Sequence, residues 1–227
     1  GDLPHIVELD FYNECLDIGR KAVSAAITKA EPVTHIAHSQ GRVDKVASNR
    51  RINRDKEGKI ISMRGSSCRD ERLRSMTEGT IDPFLKTVAF YNKDKKLVSC
   101  HYYATHPMSY YGDGRVSSDF TGMARKQRQQ EEPGCTHIYF TGCSGNISAG
   151  KYNDGSKPMR AILARRIYDG IIASEKGLKP EPVGKLTWKT HDILPPVRSS
   201  FSVEELTKTI SNKSSSVVNR NRPSFML

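Results

Sequence analysis

The spacing of apolar and polar positions predicts a helix, a strand and a long polar segment in the first third of the chain. Residues 8–30 carry apolar side chains at helical spacing, namely Phe11, Cys15, Ile18, Val23, Ala26 and Ile27. Pro32 closes this helix, and V-T-H-I-A-H at 33–38 is a short strand candidate. Residues 41–80 are polar with weak periodicity, which indicates a long loop region with a turn at Asp55-Lys56-Glu57-Gly58. A loop of this length in a compact domain is often functional.

The middle of the chain predicts a β-hairpin followed by a helix. L-K-T-V-A-F-Y at 85–91 and L-V-S-C-H-Y-Y-A at 97–104 flank the turn N-K-D-K-K. The second of these strands leads into T-H-P-M-S-Y-Y-G-D-G, a loop rich in proline and glycine. Residues 119–132 have a helical pattern that ends at Pro133-Gly134.

The last third predicts one more strand on each side of a long helix. H-I-Y-F at 137–140 is a strand that precedes a glycine-rich stretch, and residues 157–176 form an amphipathic helix. Residues 183–194 have the alternation of a strand. S-V-E-E at 202–205 is a capping box that opens a last helix, and after residue 211 the chain is polar and expected to fray.

Alternating helices and strands predict an α/β domain, a layered mixed sheet flanked by helices. The length of 227 residues fits one domain, or one large domain with a tail. We place the domain at residues 1–195 and a C-terminal helix with a polar tail at 196–227. Five cysteines, an odd number without a CxxC pair, argue against a disulfide framework and a zinc knuckle.

The net charge of +11 favours anionic partners such as nucleic acid, phosphate or acidic lipid surfaces, or belongs to a solvated basic surface. The basic residues are dispersed and are not interleaved with aromatic side chains, so no nucleic acid partner is expected. Apolar runs fall short of about 18 residues, so no membrane span is expected either. The sequence predicts no oligomeric state.

The stretch G-N-I-S-A-G-K, Gly145 to Lys151, nearly fits the phosphate-loop pattern GxxxxGK[ST]. Tyr152 stands where the magnesium-binding hydroxyl belongs, and Y-N-D-G-S-K-P does not open a helix at once. Nucleotide binding through this loop is therefore the weakest of three functional hypotheses.

Two other positions have chemistry suited to a site. His106 follows a strand end, where α/β folds place ligand sites, and it can ligate a metal, act as a base or cap a loop. Asp113 and Asp119 are close to it in sequence and can support or complete such a site. The arginine fork in Asn49-Arg50-Arg51 suits a carboxylate or a developing oxyanion, or is a surface arginine.

Five of these pieces occur in one order along the chain. They are Asn49-Arg50, Ile81-Asp82-Pro83 before the hairpin, Y-Y-A-T-H-P-M-S from Tyr102 to Ser109, Ser118-Asp119, and Phe140-Thr141 leading to Gly145-Asn146-Ile147-Ser148. This order resembles the neutral/alkaline (non-lysosomal) ceramidase family, in its wider bacterial branch, over roughly residues 10–195.

The resemblance implies part of a ceramidase catalytic domain that hydrolyses an N-acyl amide bond with zinc. It implies that His106 is a zinc ligand and that Arg50 and Ser148 are catalytic, with Ser148 either the nucleophile or a substrate anchor. Asn49, Gly145, Asn146 and Asp119 would bind the substrate, a lipid-like or other N-acyl amide, and the family's role is in sphingolipid metabolism. The family also implies an exported or periplasmic protein.

The sequence departs from the family at the remaining zinc ligands. No H-T-H-S motif occurs, and Ala149 and Gly150 replace a proline and an asparagine of the family's serine loop. We therefore expect an internal portion of the catalytic domain with an incomplete zinc ligand set. The rival hypothesis is a non-catalytic remnant that binds an anionic or lipid-like ligand near Arg50.

Overall fold

The structure is a computed structural model that describes residues 8–194 and 202–224. Its strands are β1 His35–Arg42, β2 Ser48–Asn49, β3 Asn53–Arg54, β4 Ile60–Ser62, β5 Phe84–Asn92, β6 Lys95–Tyr103, β7 Thr136–Thr141, β8 Ile147–Ser148 and β9 Glu181–Pro182. Its helices are α1 Leu9–Ile27, α2 Glu71–Ser75, α3 Asp119–Glu131, α4 Pro158–Glu175, α5 Val203–Ser211 and α6 Val217–Ser224. The chain forms two compact units, Glu31–Leu186 and Gly1–Ala30 with Thr187–Leu227.

A five-stranded mixed sheet in the order β7-β6-β5-β1-β9 is the centre of the larger unit. β5 and β6 form the predicted antiparallel hairpin, and β1 pairs antiparallel with β5 over its whole length. β7 lies parallel to β6, with Val98 opposite Thr136 and Tyr103 opposite Thr141. The carboxyl ends of β6 and β7 therefore meet at one edge of the sheet, where the loops after residues 103 and 141 begin.

Helices α3 and α4 cover one face of this sheet. Their buried side chains pack with those of the strands in a core that includes Leu85, Tyr103, Phe120, Leu163, Ile167 and Ile171. α4 crosses β1 so closely that a Cβ on Gly41 would lie 2.4 Å from the backbone nitrogen of Ser174. Only glycine permits this approach. The layered mixed sheet flanked by helices is confirmed.

The opposite face of the sheet has partly exposed apolar side chains, because successive residues of a strand point to opposite sides. Ile36, Tyr102, Ile138 and Phe140 keep 37 to 42% of their surface exposed. The rings of Tyr102 and Phe140 stack there with centroids 4.9 Å apart.

The side chain of Arg64 connects several parts of the polar segment 41–80 by hydrogen bonds to the backbone. Arg64 is fully buried, and its guanidinium donates to five backbone carbonyls, those of Asn49, Leu73, Met76, Thr77 and Glu78. The predicted turn is confirmed, since Gly58 N donates to Asp55 O over 3.1 Å. The segment thus forms short strands and one helical turn around a buried cation.

Two local predictions were wrong. Residues 183–194 are not a strand: β9 stops at Pro182 after pairing with His35 and Ile36, and the alternating side chains beyond it have no strand to pair with. The polar segment after residue 211 does not simply fray, because Val217–Ser224 is helical. The predicted helix start at Ser202 is confirmed, with Ser202 Oγ accepting from Glu205 N, which is one of the two hydrogen bonds of a capping box.

Helix α1 belongs to the smaller unit and has no buried residue, although its predicted helical spacing is confirmed. Of the helices within the described ranges, none is long and apolar enough to cross a membrane.

Candidate functional site

A two-stranded ladder joins the loop that follows β7 to the polar segment. β2 pairs with β8, with Ser48 opposite Ser148 and Asn49 opposite Ile147. One residue further on, Arg50 N donates to Asn146 O over 2.8 Å. This ladder places the Asn49-Arg50 pair and the glycine-rich stretch side by side, although about a hundred residues separate them.

The carboxamides of Asn49 and Asn146 are hydrogen-bonded to each other. Asn146 Nδ2 donates to Asn49 Oδ1 over 2.8 Å, and Asn146 Oδ1 accepts from the Arg51 guanidinium over 2.5 Å. Asn49 Oδ1 also accepts from Arg51 N at 2.9 Å. Asn49 Oδ1 therefore accepts two hydrogen bonds, one for each lone pair. The Asn49 Nδ2 group has no hydrogen bond to the part of the chain that the structure describes. Asn49 therefore has a free amide donor.

Both asparagines line a cavity of about 600 Å³ at the carboxyl ends of β6 and β7. The remaining lining residues are mainly apolar or aromatic: Thr80, Ile81, Asp82, Lys86, Tyr102, Tyr103, Ala104, Gly142, Cys143 and Ile147. Mostly apolar walls with a few polar groups are typical of sites for small organic ligands. Asp82 and Lys86 pair at the edge of the cavity, and the Lys86 ammonium lowers the pKa of the Asp82 carboxyl.

His106 is fixed to the loop that forms one wall of this cavity. His106 N donates to Ile147 O over 3.0 Å, and Nδ1 lies 2.8 Å from the carbonyl oxygen of Ser144. A carbonyl can only accept, so Nδ1 carries a proton, and in the neutral imidazole the lone pair is on Nε2. This is the tautomer in which metal-binding histidines are commonly held.

The described residues do not form a complete zinc site at His106. A catalytic zinc needs about three protein ligands. Within residues 8–194 and 202–224, the groups of three His, Cys, Asp or Glu side chains close enough to share an ion are His101-His137-Glu175 and Glu132-Cys135-His137. Neither contains His106, which therefore offers one ligand of the right tautomer without companions.

Ser148 is fully buried in β8. Its hydroxyl donates to Gly65 O over 2.8 Å, and its carbonyl accepts from Ser48 Oγ over 2.9 Å. The partner of the hydroxyl is an acceptor that cannot remove a proton, so attack on a substrate would require this hydrogen bond to break. In the described structure Ser148 holds the loop at residue 65 against β8.

Arg50 is half-buried next to this ladder. Its backbone is fixed on both sides, by Asn146 O and by Arg64 N. Its Nε is buried and lacks a hydrogen-bond partner among the residues described. A buried guanidinium nitrogen without a partner is costly. The Arg50 side chain would have to turn outward for this nitrogen to reach an anionic group, because the atom is buried and Arg50 does not line the cavity.

Asp119 and Gly145, the other two predicted substrate-binding residues, do not line the cavity. Asp119 accepts from Ser109 N at 3.0 Å and from Phe120 N at 2.7 Å, and it adopts a left-handed φ of 50°. It thus anchors the loop after His106 to the start of α3. Gly145 is exposed, and a Cβ there would meet no atom within 4 Å.

Lys151, the lysine of the phosphate-loop hypothesis, is directed away from the glycine-rich turn. Its Nζ donates to Arg74 O over 2.8 Å and to Met76 O over 2.5 Å. The stretch is followed by turns until α4 begins at Pro158. This geometry gives nucleotide binding no support.

Sequence reasoning missed Arg51 and the cavity tyrosines. The sequence offers Arg50 and Arg51 together as one fork, and only the β2–β8 register decides which guanidinium meets the Asn146 side chain. Tyr102 and Tyr103 belong to a predicted strand and to the Y-Y-A-T-H-P-M-S motif, but neither is a predicted site residue. One sequence signal bears on Arg51. An asparagine side chain often accepts a hydrogen bond from the backbone N–H two residues later, and Asn49 accepts from Arg51 N in this way.

A second polar cluster lies under the sheet, between β6, β7 and the two helices. His101 Nε2 is 3.0 Å from His137 Nδ1, and the rings stack with centroids 5.4 Å apart. Burial lowers the pKa of His101 to about 4 and also lowers the pKa of His137. Both imidazoles are consequently neutral at pH 7.

No protein-family profile matches the chain, and no curated protein matches it. Among solved structures, a ceramidase complexed with C2 is 14% identical with a TM-score of 0.47, covering 63% of this chain and 22% of that one. The neutral ceramidase from Pseudomonas aeruginosa is 15% identical with a TM-score of 0.45, covering 63% and 23%. The chain spans less than a quarter of the length of these ceramidases.

Proposed function

We propose that the cavity beside Asn49 binds an N-acyl amide and that the chain is the substrate-binding part of an amidohydrolase of the ceramidase type. The observation that carries the proposal is the Asn49–Asn146 pair. Arg51 and Asn146 saturate the Asn49 oxygen, so its remaining polar atom is a donor at the edge of a mostly apolar cavity. A donor in such surroundings suits an amide carbonyl oxygen.

Three cavity residues and two residues outside the cavity lining would share in binding such a substrate. Asn49 Nδ2 would donate to the amide oxygen, and Ile81 and Tyr102 would contact the acyl chain. Arg50 does not line the cavity, and its guanidinium would have to turn toward Asn49 before the unpaired Nε could oppose negative charge that develops on that oxygen. Ser148 would keep β8, and with it Asn146, in register.

Zinc would polarise the amide carbonyl and activate a water molecule if it were bound. Its first ligand from this chain would be His106 through Nε2, because the Ser144 carbonyl already occupies Nδ1. One histidine does not hold a catalytic zinc, so we assign no step of the hydrolysis to the metal.

The test is hydrolysis of a short-chain N-acyl sphingosine by the purified chain, with and without added zinc. Turnover that falls at least about tenfold in both Asn49→Ala and His106→Gln supports the proposal. Arg54→Ala is the matched control, because Arg54 is an exposed arginine of the same segment whose guanidinium donates to Gly58 O. Equal turnover in the unaltered chain, Asn49→Ala, His106→Gln and Arg54→Ala contradicts the proposal, and absence of turnover with zinc present contradicts hydrolysis by this chain.

The second candidate is non-catalytic binding of an anionic, lipid-like ligand. The unpaired buried Nε of Arg50 favours it, because a carboxylate would satisfy that donor. Saturable binding of a fatty-acid anion without amide turnover, lost in Arg50→Met and retained in Arg54→Met, would establish this candidate. Absence of fatty-acid binding would exclude it.

A further inference from the structure

The side chains of His101, His137 and Glu175 converge from three different elements, β6, β7 and α4. His101 and His137 are 0% and 1% exposed, and the Glu175 side chain is 8% exposed. His137 Nδ1 lies 3.0 Å from His101 Nε2 and 4.0 Å from Glu175 Oε1. One ligand atom of each residue lies within 4.8 Å of the other two. Two imidazole nitrogens and one carboxylate oxygen are a common ligand set for zinc.

The outer nitrogen of each imidazole already has a partner. His101 Nδ1 lies 2.9 Å from Thr87 Oγ1, and His137 Nε2 lies 3.1 Å from Glu132 Oε2. A hydroxyl or carboxylate on the far nitrogen is the usual arrangement around a metal-binding histidine, because it fixes the ring and its tautomer. Glu175 is held in the same way, since Arg128 Nε donates to its Oε2 over 2.5 Å.

The proton arrangement without a metal follows from the Glu132 carboxylate. That carboxylate accepts, so His137 carries its proton on Nε2 and Nδ1 is free to accept from His101 Nε2. To bind a metal, His101 would move its proton from Nε2 to Nδ1, and Thr87 Oγ1 would become the acceptor. Both imidazoles stay neutral, and no net proton is released.

We propose that His101, His137 and Glu175 form a structural zinc-binding site that ties α4 to β6 and β7, separate from the cavity and from His106. Its nitrogen-rich ligand set suits zinc better than magnesium or calcium. Three protein ligands leave the fourth position of a tetrahedral zinc to a water molecule. Because His101 and His137 are buried, we assign the ion a role in holding α4 to the sheet rather than in catalysis.

Lys96 sets the strength of this site. Its ammonium lies 2.9 Å from Glu175 Oε1 and 2.7 Å from Glu132 Oε2, and Arg128 pairs with both carboxylates. The two acids and two bases balance in the absence of metal, so zinc must displace Lys96 from Glu175. Replacing Lys96 by a neutral residue removes a positive charge close to the ion and should tighten zinc binding by about tenfold or more.

The experiment is titration of the metal-free chain with Co²⁺, read by visible absorption, and with Zn²⁺, read by the melting temperature. We expect one ion per chain, lost in His137→Asn, and about 10- to 100-fold weaker in Thr87→Val, which keeps the shape of the side chain. Lys96→Gln should bind more tightly. His38→Gln, an exposed histidine on the open face of the sheet, is the matched control and should bind as the unaltered chain does.

Three outcomes separate this site from the cavity. Binding that survives in His106→Gln and disappears in His137→Asn supports the inference, even if the chain hydrolyses no amide. Metal binding that is lost in His106→Gln and kept in His137→Asn overturns it. Absence of Co²⁺ absorption and of any zinc-dependent change in melting temperature in the unaltered chain also overturns it, whether or not the variants fold.

Discussion

Asn146 Nδ2 donates to Asn49 Oδ1 over 2.8 Å, joining two residues that are 97 positions apart. The bond orients the Asn49 carboxamide so that Oδ1 faces Asn146 and Arg51, and Nδ2 is left for a ligand. It depends on the β2–β8 register, because a shift by one residue would move Asn49 to the other face of the ladder.

A double-mutant cycle on this pair should show coupling. Asn49→Ala and Asn146→Ala each remove the same hydrogen bond, so the free energy of unfolding of the double variant should exceed the additive value by about 0.5–1.5 kcal/mol. Urea unfolding of the four proteins measures it. Additivity within about 0.3 kcal/mol would show that the bond contributes nothing to folding.

Arg64→Met should lower the free energy of unfolding by about 2–4 kcal/mol, because it leaves five backbone carbonyls around a buried site without their donor. Arg54→Met, an exposed arginine bonded to Gly58 O, should change it by less than about 0.5 kcal/mol. Equal effects of the two substitutions in urea unfolding would contradict the role of Arg64.

The regular elements of the larger unit could be predicted because periodicity and turn residues specify them locally. The β5–β6 hairpin and helices α3 and α4 are found where the sequence places them. Residues 183–194 show the limit of this reasoning. An alternating segment forms a strand only where a partner strand is available, and β1 pairs with β9 at two residues, His35 and Ile36.

The site could be predicted only in part. Asn49 and Asn146 do line one cavity, but Ser148 is buried against Gly65 and Asp119 anchors a loop. Which side of a short strand faces a cavity depends on pairing between distant segments, and a motif does not contain that information. The buried His101–His137 pair was missed because two histidines on separate strands have no spacing signal.

Gly150→Ala should destabilise the chain by about 1–3 kcal/mol, because the new Cβ would lie 2.0 Å from Gly65 O. Gly145→Ala is its matched control in the same stretch, since a Cβ there meets no atom within 4 Å and its effect should be small. Melting temperatures of both variants measure the difference. A Gly150→Ala chain as stable as Gly145→Ala would show that β8 and the residue-65 loop are not in close contact.

Stability should fall as the pH falls from about 6.5 to about 4. Burial lowers the pKa of His101 from 6.5 to about 4, so over this range the unfolded chain binds a proton that the folded chain does not. The loss from His101 alone is about 3 kcal/mol, and His137, whose pKa burial also lowers, adds to it. His101→Gln should flatten the pH dependence of the free energy of unfolding. An unchanged slope in that variant would place the titrating group elsewhere.

The most direct test of the proposed function is equilibrium binding of a soluble short-chain N-acyl sphingosine to the purified chain and to Asn49→Ala. We predict saturable binding at one site that weakens by at least about tenfold in the variant, since a lost hydrogen bond to the amide oxygen would be worth about 1.4 kcal/mol or more. Arg54→Ala should bind as the unaltered chain does. Absence of saturable binding, or equal binding by the chain and Asn49→Ala, would contradict the assignment of this cavity to an N-acyl amide.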